Sequence, residues 1–446
     1  MTPSATHNGT MKPALTLLLA AVLAVQGCSG GDAPAPPQVG TDACSAEGQK
    51  QFVLDTMRDV YFWNDLLPAT VDLSLYPTAE DLLEFLIAVQ PLDGFSYIDS
   101  AAADAQFFGE GQYEGYGFST RFEAADDLRF TRVFVASPAN AAGFERGQRI
   151  LMLNGRTIAD IQANEGVGAL FSLPSLEFTI ERTDQTQFTE TVNAGLVTID
   201  PIPQYRIIDR PDGTSVGYLE LTTFISTAEP AFATIFSEFN AAGVTDVIID
   251  LRYNGGGLVV TTELLGDYLG GGVAAGTVFS RTLFNANNSG LNRTELFETL
   301  AASLNVSRLV VVATERTASA SELVTNSMIP HADVSIVGTD TFGKPVGQVG
   351  VLFCDKILRP TAFETVNSDD GGRYFDGLPA DCAAADDLSI PVGDETDPNL
   401  VAALTLLDTG ACPVVTSAPS PIEKPAVERV RPRPSGKPWR DLADAW

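Results

Sequence analysis

Three runs in the second half of the chain leave few folds open: Asp246 to Leu251, Leu309 to Ala313 and Val334 to Val337. Each holds a continuous apolar stretch. A strand with one wet face alternates polar and apolar residues. A stretch without alternation belongs to a strand covered on both faces, as in a parallel sheet between helices. Helical patterns fall between the runs. Glu229 to Ala242 stops at Gly243, a second helix follows Gly255-Gly256-Gly257 and reaches about Tyr268, and a third starts near Ala320. With the strand Val216 to Leu221 ahead of them, residues 205–412 read as an α/β layer architecture.

The rest of the chain is arranged around this core. Lys12 precedes an apolar run from Ala14 to Val25, too short to span a bilayer, and Gln26-Gly27-Cys28 follows. Residues 1–28 therefore read as an export signal, and Cys28 after a small residue resembles a bacterial lipoprotein lipidation site. Residues 29–43 are a Gly/Pro/Ala-rich flexible linker. Residues 44–105 show helical spacing at Phe52, Val53, Met57, Val60 and Tyr61, and again at Leu82, Leu83, Phe85, Leu86 and Val89. Residues 113–198 read as a small β-rich domain, with an alternating strand from Leu128 to Val135 and a strand Arg149 to Leu153 closed by Asn154-Gly155. The Pro-rich stretch 413–446 lacks an apolar period and reads as a disordered tail.

Past Cys28, four cysteines remain: Cys44, Cys354, Cys382 and Cys412. An even count in an exported chain implies two disulfides. The pairing expected is Cys354 with Cys382 and Cys44 with Cys412, the second tying the ends of the folded part. The formal net charge of −30 repels phosphate backbones and anionic headgroups. It argues against a nucleic-acid partner and leaves the membrane reachable only through the N-terminal lipid.

A Ser-His-Asp triad needs a histidine. Beyond the signal the chain offers only His331, at the far end of the helix that starts near Ala320. HExxH and CxxC are absent, so neither a metal site nor a cofactor is expected. A hydrolase built from this chain needs a lysine or a carboxylate as base. Lysine serves once desolvation disfavours its charged form. Lys344 sits in a Gly-flanked loop after the Val334–Val337 run, where composition alone favours an ordinary surface lysine. Gly338-x-x-x-x-Gly343-Lys344 copies most of a phosphate-binding loop, but Pro345 supplies neither the hydroxyl nor the N–H that a nucleotide site needs. In Thr317-Ala318-Ser319-Ala320-Ser321-Glu322, Ser319 stands where a helix N-terminus can stabilise an oxyanion, while Ser319-x-x-Glu322 is also a capping-box pattern. Asp250 to Gly257 ends a buried strand in glycines, which present N–H groups to a ligand or make a tight turn.

Together these three segments resemble the C-terminal (tail-specific) processing peptidase family. The strand-end Asp-Leu-Arg-x-Asn-x-Gly-Gly matches at Asp250 to Gly257, Thr-Ala-Ser-Ala-Ser-Glu at 317–322, and Gly-x-x-Thr-x-Gly-Lys-x-x-x-Gln at Gly338 to Gln348. Tyr116-Gly117-Phe118 and Gly143 to Ile150 look like the carboxylate-binding loop and a following segment of the family's PDZ domain, with Gln148 where Asp is usual. Residues 52–98 are similar to the family's N-terminal helical segment.

The resemblance implies a ClpP/crotonase-like spiral peptidase core with a PDZ-like domain ahead of it. It also implies a serine endopeptidase that acts on exported or unfolded polypeptides in the bacterial envelope, facing the periplasm. Ser319 is then the nucleophile, Lys344 the general base and Gln348 its orienting partner. Ala320 with Gly256 or Gly257 forms the oxyanion hole, and Tyr116, Gly117 and Phe118 receive a substrate C-terminus. The competing reading is a non-catalytic peptide- or ligand-binding envelope protein on the same scaffold.

Overall fold

The computed structural model describes residues 43–413. The export signal with Cys28, nearly all of the linker and the Pro-rich tail lie outside the described residues. The core is a six-stranded sheet of β1 (Gln204–Asp209), β2 (Ser215–Glu220), β3 (Asp246–Asp250), β4 (Arg308–Ala313), β5 (Asp333–Gly338) and β6 (Cys382–Ala383), neighbours in that order. β1 pairs antiparallel with β2, and every later pair is parallel.

The apolar runs are buried on both faces, as their lack of alternation requires. Leu219, Val247, Ile249, Leu309 and Val311 belong to a cluster with the helices α1 (Glu229–Ala241), α2 (Val259–Gly270) and α3 (Ala320–Met328), through Phe232, Phe236, Leu265, Leu269, Leu323 and Val324. The alternate residues Val216, Tyr218, Ile248, Val310 and Val312 face α4 (Pro398–Thr409) at Leu400, Ala403 and Leu407. The register sets Glu220, Asp250 and Val312 level across three strands. The loops that follow β3, β4 and β5 therefore leave the sheet at one edge, its carboxyl edge, where parallel α/β sheets gather ligand-facing residues.

Helices Ala46–Val60 and Ala79–Ile87 bury Val53, Leu54, Met57, Leu82, Leu83 and Leu86 against Phe353 and Leu358. The strand Tyr97–Ser100 then pairs antiparallel with Lys356–Arg359. The β-rich domain is an antiparallel sheet of Phe118–Ala124, Asp127–Val133, Arg149–Leu153, Ser175–Glu181 and Gln187–Asn193.

The disulfides are Cys44–Cys354 and Cys382–Cys412, which corrects the expected pairing. The strands Val351–Phe353 and Lys356–Arg359 form a hairpin beside the N-terminal helices, with Phe52 stacked on Phe353 at 4.8 Å. Its turn residue Cys354 thus meets the start of the folded chain. Cys382 lies on β6 in the cluster under α4, so the end of α4 returns Cys412 to it. Two disulfides fit an oxidising compartment. Among the described residues no helix is long and apolar enough to cross a membrane.

Ion pairs join the β-rich domain to the core. Arg132 meets Glu220 at 2.7 Å. Asp386, between β6 and α4, accepts Arg121 and Arg146 of the β-rich domain at 2.7 Å each and lies 3.4 Å from Arg252 at the end of β3. The Tyr253 hydroxyl also donates to it. Arg252 is itself buried between Asp250 and Asp397. Burial alone would raise the Asp386 pKa; attraction to Arg146, Arg121 and Arg252 outweighs it and holds the carboxyl at about 2. Removing one partner from a buried charge cluster typically costs about 3–5 kcal/mol. Asp386→Asn should lose about that much in denaturant unfolding. Because the folded pKa is depressed, the contribution is complete above the ordinary carboxylate range and disappears as pH falls through about 2. The parent should show that acid loss and Asp386→Asn should lack it; equal stability of the two at neutral pH would refute the role of the cluster.

Candidate active site

Ser319 opens α3 with φ 56° and ψ −113°, a left-handed conformation that a β-substituted residue adopts at a cost of about 1–3 kcal/mol. Such strain persists only where neighbours over-determine it. Here the neighbour is Glu322, one turn into α3 and fully buried. Its Oε2 accepts the Ser319 N–H at 2.9 Å and the Lys344 N–H at 2.8 Å. Its Oε1 accepts the Gly343 N–H at 2.7 Å and the Thr341 hydroxyl at 2.5 Å. One carboxylate thus fastens the loop after β4 to the loop after β5. Burial pushes the Glu322 pKa up, and the four donated hydrogen bonds push it back down without cancelling the rise. Since Thr341 Oγ1 already accepts the Leu378 N–H, its proton points to Glu322, and all four contacts suit an ionised acceptor. The Gly343 and Lys344 N–H groups, which a phosphate would require, are consumed here.

The loop after β3 lies against the same serine. Tyr253, at φ 64°, turns the chain, and Asn254 binds in several directions. Its Nδ2 donates to Leu221 O at 2.8 Å, and its carbonyl accepts Ala318 N–H and Ser321 Oγ–H, both at 3.0 Å. Its Oδ1 accepts the Gly256 N–H at 2.9 Å. Gly256 is therefore not a donor to a ligand, which removes it from the expected oxyanion pair. Its part is steric: at φ 104°, an added Cβ would stand 2.8 Å from Ala320 N and from Ser319 Cβ. Gly257, at φ 143°, bridges to Phe224 through its flanking residues, since Phe224 N–H donates to Gly256 O and Leu258 N–H to Phe224 O. Its own N–H takes no part in those bonds. Ala320 N–H belongs to the first turn of α3, where no intrahelical acceptor exists.

Lys344 is half-buried and its Nζ stands 4.9 Å from the Phe95 ring centre. Gln348 arrives by way of the same phenylalanine, its Nε2 donating to Phe95 O at 2.7 Å. Phe95 is held by Asp93 Oδ1, which accepts its N–H at 2.9 Å. The turn Asp93-Gly94-Phe95-Ser96 is legible as an Asp-led turn, but nothing local shows that it faces the lysine. Glu322, read from sequence as a helix cap, and Asp386 are the other residues whose position sequence reasoning missed.

His331 lies beyond the far end of α3, with Nε2 3.0 Å from Val278 O and its ring on Phe297. Tyr116 and Phe118 fill the core of the β-rich domain, and the Tyr116 hydroxyl donates to Leu173 O at 2.6 Å. Their side chains are turned away from solvent, so a peptide end could meet only the backbone there. An added Cβ on Gly117 would fall 2.1 Å from Ser137 Cβ.

Comparison with known proteins gives concordant matches. The family model described as peptidase family S41 matches residues 215–382, and that of the peptidase S41 N-terminal domain matches residues 48–97. A carboxyl-terminal-processing protease from Picosynechococcus sp. is 28% identical over 252 residues, covering 54% of this chain and 56% of that protein. A carboxy-terminal processing protease from Bacillus subtilis is 22% identical, covering 54% and 50%. The chain thus spans just over half the length of the first of these relatives. The solved structure of a candidate S41 protease from Bacteroides fragilis has a TM-score of 0.64 at 23% identity, covering 81% of this chain and 97% of that one, and shares the fold.

Replacing the Glu322 acceptor leaves buried donors unmet, at about 1–3 kcal/mol each. Glu322→Gln keeps the shape but sets an amide donor against N–H donors. It should lower the free energy of unfolding by about 2–4 kcal/mol, and Glu322→Ala by more, in urea titrations. Unchanged stability in both would show that the two loops are anchored elsewhere.

Proposed function

We propose that this chain is a member of peptidase family S41, a serine endopeptidase that cleaves exported or unfolded polypeptides through a Ser319/Lys344 acyl-enzyme mechanism. The observation that carries this reading is the Glu322 carboxylate, which accepts the backbone N–H groups of both Ser319 and Lys344. A nucleophile and a base that arrive from different loops need such a common anchor to hold their geometry.

In the proposed reaction, neutral Lys344 Nζ takes the proton from Ser319 Oγ as the Oγ–C bond to the scissile carbonyl forms. The oxyanion is received by the Ala320 N–H at the start of α3 and by the Gly257 N–H. One such donor is typically worth about 10²–10³ in rate. Lys344 then gives its proton to the leaving amine as the C–N bond breaks, and later takes one from the water that attacks the ester. Gln348 orients the lysine through Phe95 rather than by serving as a reacting group.

The β-rich domain acts in this reading as a PDZ-like module that receives a substrate C-terminus on the backbone around Gly117, with strand addition at Phe118–Ala124, an edge strand of its sheet. Its ion pairs to Asp386, and the Arg146 donation to the Tyr253 hydroxyl at 2.8 Å, couple its position to the turn that carries Gly257. We assign the mature protein to the bacterial envelope, tethered through a lipid on Cys28 and facing the periplasm. The two disulfides support that compartment.

Residues 29–446, with Ser319→Ala and Lys344→Ala forms, should be incubated with a reduced, unfolded protein and the products read by mass spectrometry. Cleavage by the parent should fall at least about 10³-fold in each variant. Activity surviving in Ser319→Ala overturns the nucleophile; a parent that binds peptide without cutting it supports a binding protein on this scaffold.

A further inference from the structure

The Phe95 backbone receives Gln348, and its ring lies against the Lys344 head group. We propose that Phe95 is a positioning residue whose ring face holds the ammonium formed on Lys344 when Ser319 gives up its proton. The inference rests on the assignment of Lys344 as general base.

Four observations support it. The Lys344 Nζ stands 4.9 Å from the ring centre, inside the distance at which the negative face of an aromatic ring attracts a cation. The ring is fixed. Phe95 is 4% exposed, its N–H is bound by Asp93 Oδ1, its carbonyl by Gln348 Nε2, and its edge by Phe342 with centres 6.1 Å apart. The Asp93 carboxylate is engaged by its own turn and by Thr361, since it also accepts Ser96 N–H at 3.0 Å, Ser96 Oγ–H at 2.6 Å and Thr361 Oγ1–H at 3.1 Å. Finally, Phe342 lies on the same loop as Lys344 and donates its N–H to Thr317 O at 2.9 Å, so the ring, the lysine loop and the serine loop are joined by direct contacts.

Other titratable groups surround this arrangement. Glu322 comes from α3, with Tyr374 beside it, pushed up by burial and then by the Glu322 charge. Tyr61 lies against Asp93, pushed up by burial and then by that carboxylate. Asp376 follows Phe375, whose carbonyl would stand 2.4 Å from a Cβ on Gly343. None of these is altered by changing the electron density of the Phe95 ring at constant shape.

That change is the test. Phenylalanine at position 95 is replaced in the full mature chain by its 4-fluoro, 3,5-difluoro and 3,4,5-trifluoro analogues, which withdraw charge from the ring face stepwise. The second-order rate of Ser319 labelling by a fluorophosphonate is then followed against pH. A ring that favours the ammonium keeps the lysine protonated to higher pH. Weakening it should move the acid limb stepwise to lower pH, by about 0.5–1 unit in total. The plateau rate should fall about two- to fivefold, because the ammonium is less stabilised as it forms. Phe95→Leu should reproduce the trifluoro profile and Phe95→Tyr the parent's. The position of the limb does not depend on the folded fraction, and the fluorinated series decides the matter even where Phe95→Leu fails to fold. A limb that stays in place across the series, with Lys344→Ala unreactive, overturns the role of Phe95 and leaves the base intact. Undiminished labelling of Lys344→Ala overturns the assignment on which the inference stands.

Discussion

A single buried carboxylate organises the carboxyl edge of the core sheet. Glu322 has no solvent to hydrate it, so its charge is sustained by the donors around it, the Thr341 hydroxyl and the backbone of the two loops that carry Ser319 and Lys344. The left-handed conformation of Ser319 follows from this. The serine N–H must turn inward to reach Glu322 while its side chain stays half-exposed at the edge of the sheet. The same bond that looks like an ordinary helix cap also fixes where the lysine loop can run. Capping and site-building are one interaction here.

The remaining geometry is inherited from the sheet. Parallel strands in sequential order deliver the loops after β3, β4 and β5 side by side, and the small residues among them let the backbones touch. Gly256 packs on Ser319 and Ala320 with no room for a side chain, and Asn254 fills the gap behind it with hydrogen bonds to both neighbours. The N-terminal segment closes the fourth side by bringing the Phe95 ring under the lysine. A second polar centre, around Asp386 and Arg252, secures the β-rich domain to the strand end that feeds the glycine loop.

What was legible in the sequence was what local pattern encodes. Burial on both faces suppresses alternation, so the runs at 246, 309 and 334 announced β3, β4 and β5, and strand–loop–helix order placed Ser319 and Lys344 on neighbouring loops. What was hidden depends on contacts between distant segments. The partner of Cys354 is set by a hairpin docking on the first helix, 310 residues away in the chain. Asp386 gathers arginines from 134 to 265 positions distant, and no local pattern marks it. Gly256 and Gly257 are equivalent as letters. Only the direction of the Asn254 amide shows that one N–H is already bound. The motif residues of the β-rich domain were recognised by type, but the aromatic side chains at Tyr116 and Phe118 serve its core.

The long separations have a consequence for timing. Phe95 meets Gln348 across 253 residues, and the Asp250–Arg252 pair at the end of β3 is completed by Asp397, 145 residues further on. A chain that emerges N-terminus first, from a ribosome or through a membrane, carries its serine before Gln348 and Asp397 have appeared. Until residue 397 is free to fold back, Arg252 lacks one of its carboxylates and the strand end beneath the glycine loop is unfinished. The order of synthesis therefore leaves this edge of the sheet unassembled until nearly the whole folded part has emerged.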